Sequence, residues 1–472
     1  MSAPVTDDDL PGYLSELGVP GLADAHVHFM PQNVLNKVWA FFDAAPQRGE
    51  AAWGIRYRST EQERVDTLAR LGVAAYPSLN YAHRPGMAAW LNEYSQRFAA
   101  EHPQVVPSGT FYAEPSAGAD ARAALAAGAR IFKVHVQVGG FSPVDPQLEP
   151  AWDALEEAGV PAVIHAGNGP HRGAFTGPGP VAELAARHPG LPIVVAHCGL
   201  PDYAAFTDLV EASENVWLDT TMIGTDYMQE HFPLPEDVLR RWAGLGERIV
   251  LGSDFPNIPY PYAHQIEALQ RWGFGDAWLR RVLWDNGARL MRVGTRTERL
   301  RLTRPSLSDL SELHSLQADP RVWGHFPSGR ATSLEDTRSW LAALQSSWRE
   351  DGLGTWVVRG AEDEFLGYGG CRLAGGGAYW NLGYRLRPEV HGRGIATELS
   401  RAAIDAARRQ DPDVPVVAYL LEHNEASAGV ARKLGLTLAW RGPDAGNPDP
   451  DAVRLVFADR ELSEEQLAAT RR

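Results

Sequence analysis

Cysteine, lysine and long apolar runs are all scarce in this chain. Cys198 and Cys371 are the only cysteines in 472 residues and lie far apart, so no disulfide framework is implied and a reducing cytoplasm fits. No stretch approaches the roughly 18 consecutive apolar residues that a membrane-spanning helix needs. The start, Met-Ser-Ala-Pro-Val-Thr followed by three aspartates, has neither a basic segment nor an apolar core, so no signal peptide is expected. Positive charge is in deficit: 44 Lys and Arg stand against 59 Asp and Glu, a formal net charge of −15. That balance argues against nucleic acid or an anionic membrane as the main partner. Lys37, Lys133 and Lys433 are the only lysines. Genomic base composition produces biases of this kind, yet each surviving lysine invites a reason.

What remains is an ordinary soluble composition, 44% hydrophobic and 22% charged. The length suits two or three domains. The first informative stretch is Gly21 to Met30, which places His26 and His28 two positions apart. On a strand, alternate side chains leave on one face, with Cα atoms ~6–7 Å apart. Two imidazoles so placed can share one divalent cation, provided the rest of the chain supplies further ligands.

Pro31 to Arg58 reads as a long irregular stretch rich in aromatics, expected to pack as a lid. Beyond it the chain alternates. Helices are expected at Thr60–Leu71, Pro85–Glu101, Ala117–Ala127, Pro150–Ala158, Val181–Arg187, Asp202–Ala212, Glu236–Ala243 and Tyr262–Trp272. Between them lie short apolar runs at Val73–Leu79, Val105–Ala113, Arg130–Val138, Ala162–Ala166, Pro192–His197, Val216–Asp219 and Ile249–Asp254. With the opening stretch these make eight strands, and strict alternation at this length matches a (β/α)8 TIM barrel. An open doubly wound sheet is the rival, but no glycine-rich phosphate loop follows the first strand.

Barrels of this type carry their sites at the C-terminal ends of the strands. The ionisable residues gather there: His26 and His28 end the first strand, Lys133 and His135 lie late in the fourth, His165 ends the fifth, His197 the sixth and Asp254 the eighth. His26, His28, His165 and Asp254 make a ligand set suited to zinc, or else manganese, with a position open for water. His197 is then a further ligand or a general acid and base, and Asp254 a ligand or proton shuttle. Lys133 has three readings: a carboxylated bridging ligand, a substrate-binding cation, or a buried partner of an acid. Asp24 is expected to accept from an imidazole N–H. Histidines 83, 102, 171, 188, 231 and 264 fall on helices or loops, where a solvated role is expected for most; His171 is kept as a possible substrate contact.

Asp24-Ala25-His26-Val27-His28, the strand ends at His165 and His197, and Gly252-Ser253-Asp254-Phe255-Pro256 resemble the amidohydrolase superfamily. The similarity runs in order from residue 20 to about 292 and is nearest the amidohydrolase-related TIM-barrel group. That group contains metal-dependent hydrolases and decarboxylases of the aminocarboxymuconate-semialdehyde type. The resemblance implies one metal on His26, His28, His165 and Asp254, with His197 beside the bound water. Lys133 sits on the strand where other branches carry a carboxylated lysine and two metals, a role not carried over here. Substrate does not follow from fold.

After Met291 the rhythm breaks. Residues 1–292 are read as one domain and 298–472 as a second, α+β domain with paired strands at Trp356–Arg359 and Phe365–Leu373 and another at Asn381–Leu386. His391-Gly392-Arg393-Gly394-Ile395-Ala396-Thr397 then leads into a helix, whose free amides form a ready pyrophosphate site. This loop resembles the acetyl-CoA loop of the GNAT N-acetyltransferases. Asn424 to Leu436 resembles their later motif, and Leu300 to Leu310 the branch acting on ribosomal-protein N-termini. Two positions depart from the family: His391 replaces the usual Gln or Arg, and Ala431 stands where a tyrosine acid is common. Ser427 is the substitute the related branch allows, and Asn381 lies where a glutamate base is often found.

The sequence therefore leads to a cytoplasmic fusion of a metal-dependent hydrolase with an acetyl-CoA-dependent N-acetyltransferase. Its expected partners are a small-molecule substrate in the barrel and an amine acceptor at the second site. The alternatives are a barrel decarboxylase, or one domain serving as a non-catalytic module.

Overall fold

Short buried strands alternating with helices that each bury one face build the first of two units, residues 1–293; residues 294–472 form the second. The computed structural model describes the chain except residues 1, 50, 170, 171, 324–328, 362, 363, 445, 446, 448 and 472. In the first unit the strands are β1 (Leu22–Ala23), β2 (Val73–Pro77), β3 (Val105–Val106), β4 (Ser108–Gly109), β5 (Ile131–His135), β6 (Ala162–His165), β7 (Ile193–Val195), β8 (Val216–Asp219) and β9 (Ile249–Val250). Every pairing among them is parallel. β3 and β4 are one barrel strand interrupted at Pro107, which has no N–H to give the ladder. Its carbonyl still accepts from the Arg130 amide at 2.8 Å.

The ring closes beyond the ends of β1 and β9. Val27 bridges Phe255 in parallel. The amides of Ala25, His28 and Asp254 donate to the carbonyls of Leu251, Phe255 and His26 at 2.8, 2.7 and 2.8 Å. The seam of the barrel is thus the very stretch that carries His26, His28 and Asp254. Val163, Val194 and Val250 fill the interior with Ala23, Ala75 and Ile131, while a larger core lies between strands and helices.

Two expectations need correction. The stretch Pro31–Arg58 is not irregular throughout: it holds a helix, Gln32–Asp43, and a 3-10 turn, Ala45–Arg48. Val34, Leu35, Val38, Trp39 and Phe42 recur at helical spacing on one face and signal this helix, although only Leu35 is buried. It is fastened by side chains instead: the indoles of Trp39 and Trp53 donate to the Asn257 side-chain and backbone oxygens at 3.2 and 2.6 Å. His188 is buried rather than solvated, its Nδ1 2.9 Å from Glu156 Oε2. The Thr60 start was visible for a good reason. The Glu63 amide donates to the Thr60 hydroxyl at 3.3 Å while the Glu63 carboxylate accepts from the Thr60 amide at 2.9 Å, a reciprocal capping box.

The second unit is an eight-stranded sheet. Its strands are β10 (Thr295–Arg296), β11 (Arg301–Thr303), β12 (Thr355–Arg359), β13 (Phe365–Ala374), β14 (Tyr379–Leu386), β15 (Val416–Leu421), β16 (Thr437–Pro443) and β17 (Val453–Ala458). Their order in space is β10-β11-β12-β13-β14-β15-β17-β16. β14 and β15 are the one parallel pair described in it, and they bond only at Trp380–Val416 and Asn381–Val417. Past that point no ladder joins them, and a cleft opens between the two strands. Among the described residues no helix is long and apolar enough to cross a membrane.

Candidate metal centre and acyl-CoA cleft

His26 is the hub of the barrel mouth. Its Nδ1 lies 2.8 Å from Asp219 Oδ2 and 3.0 Å from Thr221 Oγ1, and the Lys133 ammonium donates to its Nε2 at 3.0 Å. A carboxylate on Nδ1 fixes the proton there and leaves Nε2 as the lone-pair face. His28 is held alike: Nδ1 donates to the Leu79 carbonyl at 2.8 Å, and Nε2 meets Asp254 Oδ1 at 2.9 Å. Asp254 Oδ1 is 3.9 Å from His26 Nε2. Ligand atoms of His26, His28 and Asp254 all lie within 4.8 Å of one another, and all three residues are buried.

His165 stands outside that group. Its ring stacks on His135, with centroids 4.0 Å apart and planes 10° from parallel, and lies 4.8 Å from the His197 ring. The His197 ring in turn is 5.2 Å from His26. Backbone strain aims these side chains: His197 and Asp254 have φ of 54° and 65°, left-handed values uncommon for non-glycine residues. His171 lies outside the described residues.

The electrostatics follow from burial. Desolvation, reinforced by Lys133, holds His26 well below the usual imidazole value, and desolvation with neighbouring cationic groups does the same to His135 and His165. Burial, with His26 adding to it, lowers His197 to about 4. The rings are therefore neutral at neutral pH and available as ligands or bases. Burial also lowers Lys133 to about 8, against the pull of Asp219 and Asp254. Burial opposes the charge of Asp254, but the hydrogen bond from His28 and the other imidazoles hold its carboxyl below the usual range.

Asp24 does something other than expected. It accepts from the backbone amides of His26 and Ser253 at 3.0 and 3.2 Å, from the Ser253 hydroxyl, and from Tyr262 at 2.7 Å. It therefore fastens the seam between the first and last strands, and among the described residues no imidazole bonds to it. Asp219 takes the role once given to Asp24. Besides His26, it accepts from the amides of His197 and Thr221 at 2.8 and 3.1 Å. Asp219 ends β8 as the other polar residues end their strands, so the same rule would have found it. Tyr81, with its ring 5.1 Å from His135 and 6.0 Å from His28, was also missed.

In the second unit Gly392 and Gly394 have φ of 73° and 80°, turning the chain into the helix Ile395–Gln410. The first-turn amides of Ile395, Ala396 and Thr397 have no intrahelical acceptor. Arg299 braces this loop, donating to the Arg393 carbonyl at 2.8 Å and to Glu398 Oε2 at 2.7 Å. The His391 ring donates to the Leu386 carbonyl at 3.0 Å, so it ties the loop to β14. A cavity of about 810 Å³ occupies the cleft and is lined among others by Asn381, Tyr384, Tyr419, Asn424, Ser427 and Ala431. Asn424 caps the helix Glu425–Lys433 by accepting from the Ser427 amide at 3.2 Å. Tyr384 donates to the Ser427 hydroxyl at 3.2 Å, and Asn381 to the Tyr419 hydroxyl at 3.3 Å. Nothing in the sequence singled out Tyr384.

Comparison with known proteins agrees with both units. Residues 23–293, more than half of the chain, match the family model described as amidohydrolase, and residues 299–437 match the acetyltransferase (GNAT) domain model. Among solved structures, an uncharacterized TIM-barrel protein from Bordetella bronchiseptica is 18% identical, with TM-score 0.45, covering 57% of this chain and 98% of its own. The 5-carboxyvanillate decarboxylase of Sphingomonas paucimobilis is 17% identical, with TM-score 0.42, covering 58% of this chain and 99% of its own. An acetyltransferase from Agrobacterium tumefaciens is 28% identical, with TM-score 0.30, covering 35% of this chain and 94% of its own. The chain therefore belongs to the amidohydrolase family through its TIM barrel and carries a GNAT acetyltransferase domain behind it.

Proposed function

We propose that the barrel is a metal-dependent hydrolase of amide, ester or lactone bonds, and that the second unit transfers an acetyl group from acetyl-CoA to an amine. One cluster carries the first half. His28 Nε2 and Asp254 Oδ1 lie 2.9 Å apart, His26 Nε2 lies 3.9 Å from the same oxygen, and all three residues are buried. Two imidazole nitrogens and a carboxylate oxygen converging so closely suit a divalent cation. His26 Nε2, once freed of its bond from Lys133, would hold that cation with His28 Nε2 and Asp254, and His165 is the remaining donor of the set. Imidazole and carboxylate together suit zinc first and manganese second. Such an ion supplies a Lewis acid and acidifies water near it.

The chain's own residues do the rest. Asp219 fixes the His26 tautomer and, through the His197 amide, the place of the His197 ring. Neutral His197 can take a proton from the attacking water and return it to the leaving group. Lys133 brings a buried positive charge to the side of His26, where it balances a developing oxyanion.

The same ammonium gives the rival reading its support: a buried cation beside the ligands is also what a substrate carboxylate would seek before losing carbon dioxide. Turnover of an ester, lactone and amide panel in ¹⁸O-water, run beside aromatic and enoic acids with carbon dioxide detection, separates the two. Label in the product acid supports hydrolysis; gas release without label assigns the barrel to the lyases.

For the second unit, the supporting observation is the loop Gly392–Gly394 at a helix N-terminus next to a cleft between two diverging strands. Calorimetric titration with CoA tests it, with micromolar binding expected and its loss on G394W.

A further inference from the structure

We propose that Tyr384 is a positioning residue of the acetyl transfer, passing a proton through Ser427 to the departing thiol. The proposal rests on the reading of this cleft as an acetyltransferase site. The reaction sets the need. The amine lone pair forms the C–N bond, the carbonyl electrons move to oxygen and return as the C–S bond breaks, and the sulfur leaves as a thiolate needing a proton. The ammonium formed on nitrogen must lose one.

The helix beside the cleft presents Ala431, which has no proton to give. One turn earlier stands Ser427, and an alkyl alcohol alone is a poor acid. Tyr384 changes that. It lies on β14 beyond the last β14–β15 pairing, across the cleft from the helix, and its phenol donates to Ser427 Oγ at 3.2 Å. With Ser427 Oγ already accepting, its own hydrogen is free to turn into the cleft. The Ser427 backbone cannot swing away, because its amide is held by Asn424 Oδ1 at 3.2 Å.

Of the phenols lining the cleft, Tyr384 is the one with a described hydrogen bond to Ser427; Tyr419 accepts from Asn381 and lies under Arg454. Asp444 is paired with Arg454, and Asp336 Oδ2 accepts from the amides of Thr332 and Ser333. The proton count closes: sulfur takes the Ser427 proton, Ser427 takes that of Tyr384, and the tyrosinate recovers one from the ammonium by way of solvent. Acetyl-CoA and amine become acetamide and CoA with no further reactant.

The test uses the full chain, acetyl-CoA, and a panel of free amino acids, polyamines and short peptides as acceptors, with free thiol as readout. Y384F keeps the ring and removes the hydroxyl. It is expected to lower kcat about 10- to 100-fold while the KM for acetyl-CoA moves less than about twofold. Because both residues serve one relay, S427A alone and the double variant should lose about as much as Y384F, not the product of the two losses. In mixtures of light and heavy water the wild-type rate should curve, as two moving protons require, and become linear in Y384F; a merely structural tyrosine would leave the curvature intact. Unchanged kcat in Y384F, multiplicative losses, or retained curvature overturns the relay. Should Y384F fail to fold by circular dichroism, S427A carries the same curvature test, and a curved response in it is equally contradictory. Wild-type protein that neither binds CoA nor acetylates any amine would instead remove the acetyltransferase reading, and the relay with it.

Discussion

Three side chains meet the His26 ring, and each does different work. Asp219 and Thr221 hold Nδ1, while Lys133 covers Nε2. Asp219→Asn keeps the size of that partner but not its charge, so the ring loses its fixed tautomer. We expect zinc affinity to fall about 10- to 100-fold in a chelator competition titration; an unchanged affinity would mean that the carboxylate has no part in holding the site. Gly252 shows how little room the cluster has. A Cβ there would lie 2.2 Å from Thr221 Oγ1, 3.0 Å from His26 Cβ and 3.1 Å from Asp219 Cγ. Gly252→Ala should cost about 1–3 kcal/mol in denaturant unfolding and weaken metal binding with it. An alanine variant as stable and as tight as wild type would show that the seam can give. At this scale the histidines were legible, because each ends an apolar run. Asp24 was misread because spacing puts it on the right face but cannot show that its carboxylate turns to the Ser253 and Tyr262 hydroxyls.

At the level of elements, the barrel's rhythm was plain because short, buried strands alternate with helices that bury one face. Strand ends were not. The expected run Ile249–Asp254 pairs only at Ile249–Val250, since Gly252 to Asp254 leave the β8 ladder to close the ring against residues 25–28. Helix Gln32–Asp43 escaped notice although Val34, Leu35, Val38, Trp39 and Phe42 share one of its faces, and its hold on the barrel runs through Trp39, Trp53 and Asn257. Asn257→Ala removes one of those two bonds. It should speed hydrogen exchange across residues 32–49 severalfold while moving the global melting point by only a few degrees. Equal exchange in both proteins would show that backbone contacts alone retain the helix.

Each unit has a main core of its own, one wrapped around the barrel and one against the second sheet. Scanning calorimetry should accordingly resolve two transitions. Zinc should raise the one belonging to residues 1–293 and CoA the other, each by about 2.7 kcal/mol of stabilisation at a hundredfold excess over Kd. Either ligand moving the wrong transition would place its site in the wrong unit. The two-part organisation was readable in the sequence because the change from alternating to paired strands is abrupt after Met291. The cleft chemistry was less so: Ala431 and Ser427 follow from motif position, whereas Tyr384 joins them only when β14 folds beside the helix 43 residues further along.

We propose that the closing seam of the barrel is a metal site. Its most direct test is the metal content of purified protein by mass spectrometry, after loading with zinc or manganese and exhaustive dialysis. One ion per chain is expected in the wild type and well under one in both His28→Ala and Asp254→Ala, with folding verified by circular dichroism. A wild type that retains no metal under any loading condition, or variants that retain as much as wild type, would contradict it.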